Sequence, residues 1–365
     1  MTVPQVRLGA SGPFVDLPSG GGVDPLAKTL WVDPQTTVPV ESQTGSISAP
    51  FAFIQQALDA FRDAGVTTGT VLCCAGDYGG FSVDWNDPDG EVMVICGVGP
   101  QGSVLNVGAI SSELEDGTLV LQGLGTFVLP VLAVVLTDTA LHVIDCCVSQ
   151  IVAADSPLTL QRSRFLSDGV QGASIQVTEC TFAGAINCAG AVVSTRSTFS
   201  GGIVVGSWEA YDCRVEQIVL VASLGAVVVR DCSILAPVSH GDWEAWDCSF
   251  LGGLNVDAFE GNGCVLNAVV DGDQLASSGA ILLSGGRCNM PVAAAAGVEL
   301  YGAVIGLFGE AVSTVTGLFG VIRGGVLTGD ITFTAELRID SVTNQALLND
   351  GRSVTASPVV IVDTP

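Results

Sequence analysis

Lysine is almost missing from this chain of 365 residues: of its 12 basic residues only Lys28 is a lysine, and histidine occurs twice. Against 37 acids this leaves a formal net charge of −25. So acidic a surface repels phosphate backbones, which excludes general nucleic-acid binding and leaves solubility or affinity for cations as its consequence. Charge is sparse as well, at 13% of residues against 48% hydrophobic, a mix too apolar for disorder. Long apolar runs are lacking: none reaches the ~18 residues of a membrane span, so no membrane insertion is expected. The start, Met1-Thr2-Val3-Pro4-Gln5-Val6-Arg7, has no basic stretch leading into an apolar core. No secretory signal is read there, and synthesis in the cytoplasm is expected. The twelve cysteines contain no zinc-like CxxC spacing, which argues against a structural zinc site.

What is present is a repeat. An acid or arginine, then Cys or Ser, then any residue, then a large apolar one recurs. The copies are Asp145-Cys146-Cys147-Val148, Arg162-Ser163-Arg164-Phe165, Glu179-Cys180-Thr181-Phe182 and Arg196-Ser197-Thr198-Phe199. Asp212-Cys213-Arg214-Val215, Asp231-Cys232-Ser233-Ile234 and Asp247-Cys248-Ser249-Phe250 follow, with looser copies at Cys264/Leu266, Cys288/Met290 and Ala303/Ile305. From Cys146 to Cys264 the Cys/Ser positions are 16 to 19 residues apart. Helical solenoid repeats need ~30 residues or more, whereas coils of a β-solenoid are shorter. The step of 24 from Cys264 to Cys288 reads as a coil with a longer loop.

Taking the Cys/Ser residue as position 0, positions −5, −3, 0 and +2 are apolar or small and face inward. Positions −3 and 0 differ by an odd number, so one step of the alternation is lost between them, as at a bend between two strands. Position −1 faces out and reads Asp145, Arg162, Glu179, Arg196, Asp212, Asp231, Asp247; the first five alternate in charge, which helps to fix register. The cysteines at position 0 read as structural thiols, small apolar fillers of a narrow interior.

Residues 1–29, rich in Gly, Pro and Asp, read as an extended N-terminal arm, with residues 1–28 available for docking to another protein. The solenoid occupies 30–340. Residues 341–365 form a C-terminal cap or strand, of which Val359-Val360-Ile361-Val362 reads as a terminal strand, a cap or an oligomer contact. Phe51 to Phe61 carries apolar residues at helical spacing, with Ser48 as N-cap and Gly65 as stop.

The segment Val32-Asp33-Pro34 … Ala49-Pro50-Phe51 … Ile54 … Ala57-Leu58 resembles the opening of the pectin-lyase-like β-helix superfamily, where a short helix covers the first coil. Ala75-Gly76-Asp77-Tyr78 resembles its strand-ending turn, and Val94-Ile95-Cys96-Gly97-Val98-Gly99-Pro100 its glycine turn. The resemblance spans residues 30–100 by motif and 140–305 by repeat style. It implies an all-β, single-stranded, right-handed parallel β-helix with a short capping helix. It implies no activity, because fold does not carry function. The family's enzymes use NTD, DD, GHG or RIK clusters, and none is found; His240-Gly241 is the nearest fragment, and His142 falls at outward position −4.

One surface stands out. Trp208-Glu209-Ala210-Tyr211-Asp212-Cys213 and Trp243-Glu244-Ala245-Trp246-Asp247-Cys248 are near copies two coils apart, around Arg230-Asp231. Tyr211, Arg230 and Trp246 share outward position −2, Asp212, Asp231 and Asp247 share −1, and Glu209 and Glu244 face out. Three aspartates ~4.8 Å apart repel one another or recruit a cation. Three readings follow: a solvated acidic ladder with Arg230 stacked on an aromatic ring, a glycan- or cation-binding face with aromatic platforms, or a carboxylate-based polysaccharide hydrolase or lyase. The acidic turn at Asp84, Asp87 and Asp89 resembles a calcium loop, but its proline and glycine fall at the wrong positions; calcium stays a secondary reading, and no cofactor is expected.

The leading functional expectation is a non-catalytic structural or adhesive protein of the bacteriophage spike, fibre or capsid-decorating kind. It would be a homotrimer, docked through residues 1–28, located on a virion or extracellular particle and facing a surface polysaccharide. The alternatives are a polysaccharide-active enzyme or a monomeric glycan-binding module.

Overall fold

A computed structural model describes residues 29–83, 92–97, 117–125 and 139–305 apart from 218, 222–224 and 270–272, with shorter strands before, between and after. Asp84, Asp87 and Asp89, the turn Val98-Gly99-Pro100 and most of the arm lie outside the described residues. The chain is a parallel β-solenoid divided into two compact units, Met1–Cys188 and Ala189–Pro365.

In the first unit, Gln5–Arg7 pairs antiparallel with Phe14–Asp16. The solenoid then begins at Thr29–Val32. Parallel pairing runs to Thr68–Cys73, Val92–Cys96, Thr118–Gln122 and Ala140–Ile144. It continues into residues 157–161 and 174–178 of two longer strands. The helix α1, Ile54–Asp63, buries Ile54, Ala57, Leu58 and Phe61 and packs on the first strands. Its N-cap is Phe53 rather than Ser48. Phenylalanine cannot cap with its side chain; Gln56 instead ties down the chain entering the helix, its Oε1 taking the N–H groups of Ala52 and Phe53 at 3.0 and 3.1 Å. Gly65 follows the last turn as expected, its N–H donating to Arg62 at 3.0 Å. The two opening motifs meet physically. Tyr78 is buried and donates to the carbonyls of Val32 and Cys74 at 3.1 and 2.7 Å, and the Pro34 ring packs where a side chain at position 76 would stand, so only glycine fits.

In the second unit each coil contributes to three parallel sheets. The first holds Ala226–Arg230, Asp242–Trp246, Ala258–Asn262, Ile281–Ser284 and Gly297–Tyr301. The second holds Arg214–Val215, Ser233–Ile234, Ser249–Leu251 and Val265–Asn267. The third holds Val219–Val221, Val238–Ser239, Leu254–Val256 and Leu275–Ser277. The segment Val359–Val362 is a parallel strand on Leu337–Asp340.

The expected interior is observed. Positions −5, −3, 0 and +2 are buried throughout the repeat. Phe165 and Phe182 stack at 4.6 Å, and in the second unit Phe199, Trp208, Trp243, Phe250 and Phe259 follow one another edge to face at 5.9–6.3 Å. The two indole N–H groups find Ser194 Oγ at 3.0 Å and the His240 carbonyl at 2.8 Å, as buried tryptophans require.

The lost step between −3 and 0 has a definite cause. All seven residues at position −1 adopt a left-handed backbone, with φ between 45° and 56°. One left-handed residue turns the chain from the first sheet into the second. Glycines take this place at Gly123, Gly263 and Gly302.

One alignment is corrected. Cys288 pairs with Leu266, and Ile305 pairs with Cys288. Cys288 therefore occupies position +2, and position 0 of its coil is Gly286. That coil is two residues shorter than the thiol spacing implied, because a buried cysteine fits either inward site equally well. Gly285 and Gly286 both have positive φ, and a Cβ at Gly286 would collide with the Cys264 carbonyl oxygen.

Candidate functional site

The corner at position 0 sets the frame for everything outside it. At position −1 the backbone N–H donates to the next coil's position −2 carbonyl: Asp212 to Arg230 at 3.0 Å, Asp231 to Trp246 at 3.0 Å, Asp247 to Asn262 at 2.9 Å. The N–H of position 0 points inward, where no carbonyl meets it. The next coil's position 0 side chain accepts it instead: Cys146 N–H to Ser163 Oγ at 3.1 Å, Cys213 N–H to Cys232 Sγ at 3.4 Å, Cys232 N–H to Cys248 Sγ at 3.4 Å. Each sulfur or hydroxyl in turn donates to its own coil's position −2 carbonyl, as Ser163 does to Gln161 at 2.7 Å and Cys232 to Arg230 at 3.1 Å. Cysteine and serine therefore substitute for one another at this position for a polar reason as well as an apolar one. Both are small, and both accept and donate.

The twelve thiols are free. Burial pushes Cys146 up to about 12 and Cys180 to about 11, so these two corner thiols are held neutral and are poor nucleophiles.

Outside this corner, the structure brings together the residues singled out by the sequence. Tyr211, Arg230 and Trp246 are in register on neighbouring strands, and Glu209 and Glu244 lie on either side of Val228. Arg230 lies over the Trp246 ring, 4.3 Å from its centroid. The Tyr211 hydroxyl donates to Glu209 Oε1, and that hydrogen bond raises the phenol's pKa, with desolvation adding a smaller push.

The row continues further than the sequence suggested. Glu260 and Asn262 stand beside Glu244 and Trp246. Tyr301 donates to Glu299 Oε2 at 2.7 Å, and Arg323 lies 5.6 Å from the Tyr301 ring centroid. The signal that could have revealed this was the alternation of Glu at −4 with an aromatic at −2, repeated at Glu299 and Tyr301. The rings of this row are engaged from within, by a guanidinium on a ring face and a carboxylate on a phenol, so they are not bare platforms.

Asp212, Asp231 and Asp247 occupy left-handed corners on successive coils and are exposed. In the first unit the equivalent corner pair is matched in charge: Arg162 grips Asp145 with two bonds of 2.7 and 2.8 Å. Among the described residues, no group of three or more His, Cys, Asp or Glu side chains is placed to hold a metal ion, and no helix is long and apolar enough to cross a membrane. His142 is half-buried at position −4, and burial lowers its pKa. His240 sits at a positive-φ turn whose carbonyl serves Trp243. No family model, curated protein or solved structure matches the chain, so a reading of its function has only its fold and its residues to stand on.

Proposed function

We propose that the chain is a structural, adhesive β-helix: a stiff body that holds a surface at a distance, as in a viral spike, fibre or capsid-decorating appendage, anchored by residues 1–28. The observation that supports this is the closure of its ladders. Inside, the corner N–H groups of Leu124, Cys146, Ser163, Cys213 and Cys232 are each met by the next coil's side chain. Outside, the most conspicuous side chains on the first sheet are partnered with one another. Residues that fix register along a solenoid suit a load-bearing element more than a centre that must rearrange around a reacting substrate.

The reading carries an assembly expectation. Native mass by light scattering should give three chains per particle, and removing residues 1–28 should leave the body folded while abolishing attachment to the docking protein. A monomeric mass would sink the trimeric form of the proposal.

A further inference from the structure

The third sheet of the second unit carries a groove that the sequence did not announce. Its volume is about 370 Å³, and it runs across Val238–Ser239, Leu254–Val256 and Leu275–Ser277. Such a volume falls within the ~300–1,000 Å³ of small-molecule sites. The strands beneath are locked in register, with Val238 N–H on Gly253 O at 3.0 Å and Leu254 N–H on Gln274 O at 2.9 Å. Gly253 has no side chain to fill the space, and a Cβ there would come within 3.2 Å of Asp273 Oδ1. Asp273 stands at the same groove, and its Oδ2 accepts the Val269 N–H at 2.8 Å.

The chemistry of the lining is specific. Ser239 and Asn255 are side by side in register, and Gln274 lines the groove from the next coil, where its carbonyl takes the Leu254 N–H. None of these three side chains takes part in a hydrogen bond within the described residues, although the aromatic row of the first sheet is thoroughly self-partnered. One hydroxyl and two carboxamides offer donors and acceptors in equal measure, beside the apolar surface of Pro237 and Ala276. A ligand that both donates and accepts at several points and also has a C–H face is an uncharged sugar. Anions are disfavoured by Asp273 and by the net charge of −25.

We infer that this groove binds one uncharged sugar residue of a glycan, with Asn255, Gln274 and Ser239 as the polar contacts. The inference rests on the adhesive reading and deepens it by naming what the body adheres to and where. It moves glycan recognition from the first sheet to the third.

The test is saturation-transfer NMR on the full chain with the methyl glycosides of glucose, galactose, mannose and N-acetylglucosamine. At least one should receive saturation, and its affinity should fall about tenfold in Asn255→Ala and again in Gln274→Ala, the loss expected for one unmet polar contact each. Both side chains are exposed, so circular dichroism should be unchanged, and Trp246→Ala should bind like the parent. Transfer to none of the four sugars would overturn the inference, as would binding that survives both alanines. Binding lost with Trp246→Ala instead would place the site on the first sheet and overturn it too. A monomeric mass would leave a positive sugar result standing, so the two proposals fail separately.

Discussion

Position 0 shows how narrow the tolerance of a single residue is inside this solenoid. At Cys146, Ser163, Cys180, Cys232 and Cys248 the side chain is small enough for the corner, accepts an inward N–H from the preceding coil and donates a hydrogen bond to a carbonyl of its own coil. Cys232 does all three, taking the Cys213 N–H at 3.4 Å and donating to Arg230 O at 3.1 Å. Alanine there fits by size but leaves a buried donor unmet, which costs about 1–3 kcal/mol. Cys232→Ala should therefore lower the guanidinium unfolding midpoint, and Cys232→Ser should hold it near the parent value. Equal losses in both variants would show that packing, not the hydrogen bond, decides the residue. Reading these cysteines from sequence as apolar fillers captured their burial and missed their second role, because nothing in a one-dimensional repeat reveals which amides a corner leaves unmet.

At the scale of the coil, the decisive element is the left-handed turn. It converts the alternation of one sheet into that of the next, and its tolerance for Asp, Arg and Glu comes with a local conformational cost of about 1–2 kcal/mol each. Where the corner must also admit a close neighbour, only glycine serves. Gly286 combines a φ of 72° with contact against the Cys264 carbonyl, so Gly286→Ala should destabilise the second unit by about 3 kcal/mol or more. A thermal unfolding midpoint unchanged in that variant would refute the assigned register. The same coil marks where sequence reading slipped. The inward positions from Leu141 to Leu266 were legible because apolar residues recur at fixed offsets from one small residue. Past Cys264 the small residue is glycine, the thiol moves two places on, and a spacing count follows the thiol. The aromatic row was legible through Trp246, since Tyr211, Arg230 and Trp246 share an offset. The groove was not, because Ser239, Asn255 and Gln274 come from three coils and have no common pattern.

For the molecule as a whole, three thiols raised by burial set a limit on the alkaline side. Cys146, Cys180 and Cys288 are raised to about 12, 11 and 12 by burial, from an ordinary 9.0. In the folded chain they stay neutral well above pH 9, whereas in the unfolded chain they ionise there. Stability is thus complete below about pH 9 and declines as the pH rises from there toward 11–12, each thiol contributing about 1.4 kcal/mol per pH unit across its window. Unfolding midpoints measured at pH 6, 7.5 and 10.5 should be level between the first two and drop at the third. Cys146→Ser should flatten the drop, and a profile without any drop would mean that the thiols are open to solvent.

The corner ladder also has a direction. Where a Cys or Ser follows, a coil's inward N–H is answered by its successor, as from Cys213 to Cys232 and from Cys232 to Cys248, so such a coil is finished only when the next one has closed over it. Cutting the ladder leaves unequal ends. The fragment before the cut keeps a buried donor with nothing to receive it, while the fragment after it keeps only an idle sulfur, a weak acceptor that loses little. The solenoid is in this sense a one-way zip, vulnerable at its leading edge and nearly indifferent at its trailing one.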